Sequence, residues 1–253
     1  MNKRELDILS IITERERVEV AKLAEELQVS QVTIRKDLAA LETRGLIQRE
    51  HGFALIGSQD DINNRLATNY EVKQMIAKEA ASLVQNGETV IIESGSSCTL
   101  LADLLAATRQ NITIITNSAF IANYIRKRPA AKMILLGGDY QNNSQVMVGS
   151  LVSRCVENFF VDKMFIGTDG FSVKTGFTSR DYARAETVRQ MAQQANKVII
   201  LTDSGKFRQP GVVSLLPLEN VDTVITDSDI DQGSESYLAS KDITIIKSGK
   251  FTH

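Results

Sequence analysis

Seven short apolar runs, at residues 89–93, 112–116, 133–136, 163–167, 198–202, 223–226 and 243–247, constrain this 253-residue chain more than any other feature. Each is four or five residues long, most are rich in Val, Ile and Leu, and most end in a small or polar turn. Helical periodicity fills several of the gaps, at 72–84, 99–107, 119–127 and 183–194. Continuous apolar runs mark strands buried on both faces, and strands alternating with helices build a parallel sheet. The expected fold class is therefore α/β from about residue 69 to residue 253. None of the runs approaches the ~20 residues needed to cross a bilayer. No apolar core follows the charged start Met1-Asn2-Lys3-Arg4-Glu5, so no membrane contact, no signal peptide and a cytoplasmic location are expected. Cys98 and Cys155 are the only cysteines and are expected as reduced thiols. With two histidines and no Cys/His cluster, neither a metal site nor a cofactor is expected.

The first 57 residues follow a different pattern. Leu6, Ile8, Leu9, Ile11 and Ile12 mark a helix over about 3–14, and Val20, Leu23, Ala24 and Leu27 a second, with Val18-Glu19-Val20 as an extended link between them. Ser30 is a suitable N-cap for a third helix that ends at Gly45. Val32, Leu38 and Leu41 are expected to face inward there, with Ile34 partly so. Gln31, Thr33, Arg35 and Lys36 are expected to project outward. The alternation from Leu46 to Ile56 around Gly52 predicts a β-hairpin, which completes a winged helix-turn-helix.

A helix fits the major groove of B-DNA, and residues near its N-terminus reach base edges. Ser30, Gln31, Thr33, Arg35 and Lys36 are thus the candidate DNA contacts, with Arg44, Arg49 and His51 near flanking phosphates. The overall net charge of −2 offers no support, so binding must rest on local charge, which Asp37 and Glu42 oppose. The polar stretch from Gly57 to Arg65 lacks apolar periodicity and predicts a linker over 58–68.

In parallel α/β sheets, ligands bind outside the carboxyl ends of the strands. Gly95, Ser96, Ser97 and Thr99 follow the first run and open a helix, a suitable cradle for a phosphate or carboxylate and equally a common βα turn. Asn117 and Ser118 follow the second run, Gly138 the third, Asp169 and Gly170 the fourth, and Asp203 and Lys206 the fifth. Convergence of these loops predicts a pocket for a small hydroxylated anion, with Lys206 as a point cation and Asp169 and Asp203 as hydroxyl acceptors. For Asp203 a helix-capping role carries equal weight.

Arg4, Ile8 and Ile12, then Ser30-x-x-Thr33-Ile34-Arg35-Lys36-Asp37-Leu38 and Leu41-Glu42-x-x-Gly45-x-Ile47-x-Arg49-x-His51-Gly52, closely resemble the signature of the DeoR/GlpR family of bacterial transcriptional regulators. The resemblance continues through Leu135-Leu136-Gly137-Gly138-Asp139, Val148-Gly149, Asp162 to Gly170, Gly176-Phe177-Thr178 and Thr202-Asp203-Ser204-Gly205-Lys206-Phe207, so it covers nearly the whole chain. It implies a ribose-5-phosphate isomerase-like sensor domain that takes a phosphorylated sugar or polyol. It also implies a homo-oligomeric repressor, dimer or tetramer, on double-stranded operator DNA. Glu93 and Cys98 stand in the site where the family usually has Asp and Thr, and Glu186 and Asp169 lie near it. Phe53 replaces a wing glycine, and Gly205 replaces a serine.

The isomerase-like fold raises an alternative, a sugar-phosphate isomerase fused to a DNA-binding unit, with Glu186 as general base. The residues after Asp169-Gly170 do not continue the acidic cluster of such enzymes, and Gly176-Phe177-Thr178 lacks a matching lysine. Glu186 reads better as a solvated or ion-paired helix residue. No enzyme is expected. A purely dimerising domain is a third possibility, against which the many polar loops argue.

Overall fold

A computed structural model describes residues 2–56, 60–128, 130–209 and 211–249. The chain divides into two compact units, Met1–Tyr70 and Glu71–His253.

The first unit contains α1 (Lys3–Arg15), β1 (Arg17–Glu19), α2 (Val20–Glu26), α3 (Gln31–Thr43), β2 (Gln48–Glu50), β3 (Phe53–Leu55) and α4 (Ile62–Ala67). Asn2 and Glu5 close a capping box on α1. Ile8, Ile12, Leu23, Ile34, Leu38, Leu41 and Leu46 are fully buried and form the core. The three strands pair antiparallel with β3 in the middle, so the Val18 segment is a third strand of the wing. His51 and Gly52, both with positive φ (44° and 86°), make the two-residue turn between β2 and β3. A type I′ hairpin turn requires that geometry at both positions.

One expectation for this unit fails, and one segment carries a helix that its pattern did not suggest. Val32 is 73% exposed while Ile34 is fully buried. Residues two apart on a helix point to nearly opposite sides, and the inward stripe runs through Ile34, Asp37, Leu38 and Leu41, which turns Val32 outward. The stretch read as a linker carries α4, capped by the Asp61 carboxylate (2.8 Å to the Asn63 amide), with Ile62 and Leu66 fully buried. Those two residues, four apart, are the whole periodic signal in a polar hexamer, and α4 packs against α1. Residues 57–59 of that stretch lie outside the described residues.

The second unit comprises α5 (Tyr70–Ser82), β4 (Thr89–Ile92), α6 (Ser96–Thr108), β5 (Thr113–Thr116), α7 (Ala119–Tyr124), β6 (Lys132–Leu135), β7 (Asp139–Gln141), β8 (Val146–Val148), α8 (Ser150–Val156) and β9 (Val161–Gly167). It continues with β10 (Gly170–Ser172), β11 (Gly176–Ser179), α9 (Tyr182–Ala192), β12 (Ala195–Leu201), β13 (Val213–Ser214), β14 (Thr223–Asp227), α10 (Gln232–Ala239) and β15 (Thr244–Ser248). Seven strands form one parallel sheet in the order β15-β14-β12-β9-β4-β5-β6. They coincide with the seven apolar runs. Residues on both faces of the central strands, Val90 and Ile91, Phe165 and Ile166, Ile199 and Ile200, are buried, as a helix-covered sheet requires.

The chain runs outward from β4 to β6, then returns to β9 on the other side of β4. The order therefore reverses between β4 and β9, where a crevice opens in folds of this class. The hairpin β7–β8 and the small antiparallel sheet β10-β11-β13 lie outside the main sheet. Phe171 on β10 stacks with Phe177 on β11 (4.9 Å between ring centres) and with Phe207 (5.2 Å), which fixes the segment after β12. Among the described residues no helix is long and apolar enough to cross a membrane.

Candidate functional site

Ser30 caps α3: its Oγ accepts the Thr33 amide at 3.1 Å and lies 2.9 Å from the Thr33 hydroxyl. These two candidate DNA contacts therefore occupy each other in shaping the helix start. Gln31, Arg35 and Lys36 are exposed as expected, and Arg35 Nη2 donates to Gln31 Oε1 at 3.4 Å, one turn apart. Lys36 has no hydrogen-bond or ion-pair partner among the described residues. The acids that oppose a positive face are both engaged elsewhere. Asp37 is buried and accepts from Arg4 on α1. Glu42 accepts from Arg49 Nε at 2.7 Å and from the Arg49 amide at 3.2 Å, which ties the wing to α3. Arg49 is thus already paired in the protein alone, and Arg44 Nη1 lies 3.3 Å from Glu5. His51 is exposed at the wing turn. Phe53 gains a role that sequence reading did not find: the Arg17 guanidinium sits 3.8 Å from its ring centre. The two are diagonal neighbours across β1 and β3, within reach of a cation–π contact.

In the second unit, all seven strands of the main sheet are parallel, so their carboxyl ends share one edge. Glu93, just past β4, is buried and clamps the switch point. Its Oε2 accepts the Gly95 amide (2.8 Å) and the Gly167 amide at the end of β9 (3.2 Å), while Oε1 accepts the Ser94 hydroxyl (2.6 Å). The clamp needs glycine on both sides, because a Cβ on Gly95 would stand 3.1 Å from the Gly167 Cα, and the converse holds. Most of the carboxylate's acceptor capacity is thereby used inside the protein.

Gly95 is the N-cap of the 13-residue helix α6 and brings no side chain to its first amides. Of the other helices that start on this edge, α7 is capped by Ser118, α9 by Asp181 and α10 by Asp231, whereas the seven-residue α8 starts at Gly149, also without a side-chain cap. Ser96 is half-buried and Ser97 buried on that first turn. Cys98 is fully buried, with Sγ 3.7 Å from the Phe165 carbonyl oxygen, so its thiol points toward β9. The Thr99 hydroxyl donates back to the Gly95 carbonyl.

The remaining candidates divide between structural duties and open positions. Ser118 is fully buried and its Oγ accepts the Ile121 amide (3.1 Å). Asn117 Nδ2 donates to the Met147 carbonyl (3.0 Å), while its buried Oδ1 lacks a partner. Gly138 is a packing glycine, since a Cβ there would meet the Val148 oxygen and Val152 at 2.6 Å. Asp169 Oδ2 accepts the Arg180 amide (2.9 Å) and the Ser179 hydroxyl (3.3 Å). Gly170 admits the Gln209 carbonyl, which would overlap any side chain. Glu186 accepts from Arg189 (2.7 Å) and Gln190 (3.2 Å) on its own helix.

Lys206 is half-buried on a 3-10 turn, Ser204–Arg208, after β12. Its ammonium has no partner among the described residues. Asp203 makes no side-chain cap to that turn. Its carboxylate lies where a Cβ on Gly205 would approach to 2.9 Å, which accounts for glycine at that position. Asp227, at the end of β14, accepts the Ser204 amide (2.7 Å) and so clamps the Lys206 loop as Glu93 clamps the first. Sequence reading missed it, since an acid closing a strand carries no periodic signal. It also gave no role to Arg184, buried in the first turn of α9 with Nε 3.9 Å from Asp181.

Residues 4–60 match the family described as DeoR-like helix-turn-helix domain, and residues 68–228 that described as DeoR C terminal sensor domain. The HTH-type transcriptional regulator GolR of Listeria innocua is 33% identical over 91% of this chain and 92% of its own length. The putative aga operon transcriptional repressor of Escherichia coli O157:H7 is 28% identical over 98% and 94%. The glycerol-3-phosphate regulon repressor of Escherichia coli K12 is 28% identical over 89% and 90%. Ribose 5-phosphate isomerase A of Methanocaldococcus jannaschii superposes with a TM-score of 0.42 at 19% identity, over 55% of each chain.

Proposed function

The chain belongs to the DeoR family of transcriptional regulators, and from that membership we propose that it represses a carbohydrate-utilisation operon until a phosphorylated sugar or polyol releases it. Residues 1–57 read operator DNA, residues 69–253 bind the effector and join copies of the chain, and residues 58–68, which carry α4, connect them. Gln31, Arg35 and Lys36 approach base edges and phosphates in the major groove, with His51 and a released Arg49 toward flanking phosphates. Paired copies read half-sites about 34–36 Å apart or multiples of it.

The observation that carries the effector half is the uncapped N-terminus of α6 at the switch point of the sheet. Its amides and the Ser96 and Ser97 hydroxyls suit a phosphate, Lys206 supplies a compensating charge, and Asn117 and Asp169 suit the sugar hydroxyls. Glu93, Gly138, Gly170, Ser118 and Cys98 hold those loops in place. The Escherichia coli relative named for a glycerol-3-phosphate regulon supports this ligand class. A regulator without turnover is the reading we favour, because Glu186, the candidate base, is engaged by Arg189 and Gln190. A cytoplasmic protein suits both ligands.

Release by tenfold requires about 1.4 kcal/mol of differential effector affinity between the two states. The test is a gel shift on duplexes enriched by the protein, repeated with sugar phosphates, the matching free sugars and inorganic phosphate. Release by one phosphorylated compound and by neither of its parts is the expected result. Turnover of that compound, or indifference to a broad panel, would overturn the proposal.

A further inference from the structure

Val32 is the one large apolar side chain that stands exposed among the described residues of the first unit. The fold has no use for it there. A β-branched residue lowers helix propensity slightly, and 73% exposure leaves its methyl groups in water. Its neighbours give the position meaning. Val32 lies in the first turn of α3, between Gln31 and Thr33, with Arg35 three and Lys36 four residues on, hence on the same helix face. Ser30 and Thr33 already engage each other, so the outward set at the groove-entering end is Gln31, Val32, Arg35 and Lys36.

Three of those four can exchange hydrogen bonds with bases or phosphates. Val32 cannot donate or accept one, and the major groove offers a single apolar group, the C5 methyl of thymine. Cations on the same face bring that groove within reach, whereas an apolar protein surface would meet Arg35 and Lys36 with nothing to neutralise them. We propose that Val32 is a specificity-determining residue that reads a thymine methyl group at one position of each operator half-site. The inference rests on the assignment of α3 as the DNA-reading helix and adds to it the identity of one base.

Replacing thymine by uracil removes the methyl group and nothing else. Duplexes are enriched from a random pool with the full-length wild-type protein, and each thymine of the enriched site is then changed singly to uracil. The wild type should lose affinity about fourfold at one thymine per half-site, the scale of one methyl group withdrawn from water. Val32→Ala, which offers less apolar surface, should distinguish thymine from uracil less than the wild type does, while keeping the wild-type response to substitutions elsewhere. Alanine favours the helix and Val32 is exposed, so the variant should fold, and its melting curve checks this. Indifference of the wild type to every uracil, or an undiminished thymine preference in Val32→Ala, would overturn the proposal. Failure of the wild type to enrich any duplex would instead remove the assignment of α3 itself, a separable result.

Discussion

Arg4 on α1 and Asp37 on α3 form a two-point ion pair, with Nε 2.6 Å from Oδ2 and Nη2 3.2 Å from Oδ1. The hydrogen bond to Asp37 raises the guanidinium pKa above its ordinary value. The pair holds Asp37 on the buried face of α3 and ties the helix to α1. The two partners are not equivalent. Arg4 is partly exposed and can turn to water, but Asp37 is buried and cannot. Arg4→Met should therefore destabilise the first unit more than Asp37→Leu, because it leaves a buried carboxylate alone. The double variant should recover part of the loss. Thermal melts of the four proteins check this; additive losses would show that the pair is not coupled.

Arg35→Ala should weaken operator binding at least tenfold and leave effector binding unchanged, since the side chain is exposed and its sole partner among the described residues is Gln31. A bidentate arginine–guanine contact is worth about 1–3 kcal/mol of discrimination, and Asp37 and Glu42 no longer oppose the positive face because Arg4 and Arg49 hold them. Gel shifts across about 50–200 mM salt should separate the two uses of a cation. Loss of a phosphate contact flattens the salt dependence, while loss of a base contact relaxes sequence preference with the slope kept. Normal affinity in the variant would remove Arg35 from the interface.

The main sheet was legible because most of its strands are runs of Val, Ile and Leu, and β9 carries the equally apolar Met164-Phe165-Ile166. The hairpin β7–β8 and the sheet β10-β11-β13 were not, since their strands of two to four residues carry no period. On α3 the inward face was misjudged by two residues: Val32 and Ile34 are equally apolar, and only the register set by Leu38 and Leu41 distinguishes them. The candidate site shows a different limit. Ser118 and Asn117 have the composition of ligand-binding loops, yet one caps α7 and the other holds β8. A hydroxyl that serves the fold and one that serves a ligand look the same in sequence. Phe53 and Gly205, both departures from the family pattern, become intelligible only beside Arg17 and Asp203.

Glu93→Gln should loosen the switch point. The carboxylate accepts two backbone amides and one hydroxyl, whereas an amide side chain offers one oxygen and turns an NH2 group toward donors. An unsatisfied buried donor costs about 1–3 kcal/mol. Urea unfolding should show a loss of that order, with weaker effector binding because the start of α6 is no longer held. Gly95→Ala should act in the same direction through its contact with Gly167. Unchanged stability in both would mean that the clamp is not under load.

Lys206→Ala should leave operator binding intact and blunt release by the effector, shifting the dose–response at least tenfold. Lys206 has no partner among the described residues, and its loop is fixed independently by Asp227 and by Phe207 against Phe171. The variant therefore removes a charge without removing the loop. Lys206→Arg should restore only part of the response, because a planar fork does not replace a point cation. A wild-type dose–response in Lys206→Ala would exclude it from the site.

Asp231 supplies a pH test. Its Oδ1 caps α10 by accepting the Ser234 amide at 2.9 Å. That backbone hydrogen bond, followed by the Ser234 side-chain hydrogen bond, holds the carboxyl below its ordinary value of 3.8. A carboxyl depressed in the folded state contributes stability that is present above the unfolded value and is lost as pH falls through the folded one. Asp231→Ala should cost about 1 kcal/mol at pH 7, the usual worth of an N-cap. Asp231→Asn keeps an acceptor for the Ser234 amide and cannot titrate, so its deficit against the wild type should be small at pH 7 and shrink as pH falls below the ordinary carboxyl value of 3.8. Urea unfolding at intervals from about pH 7 to pH 3 reads the difference, whatever other carboxylates contribute to acid lability in both proteins. A deficit for Asp231→Asn that stays constant, or grows toward acid, would show that the charge on Asp231 does nothing for α10.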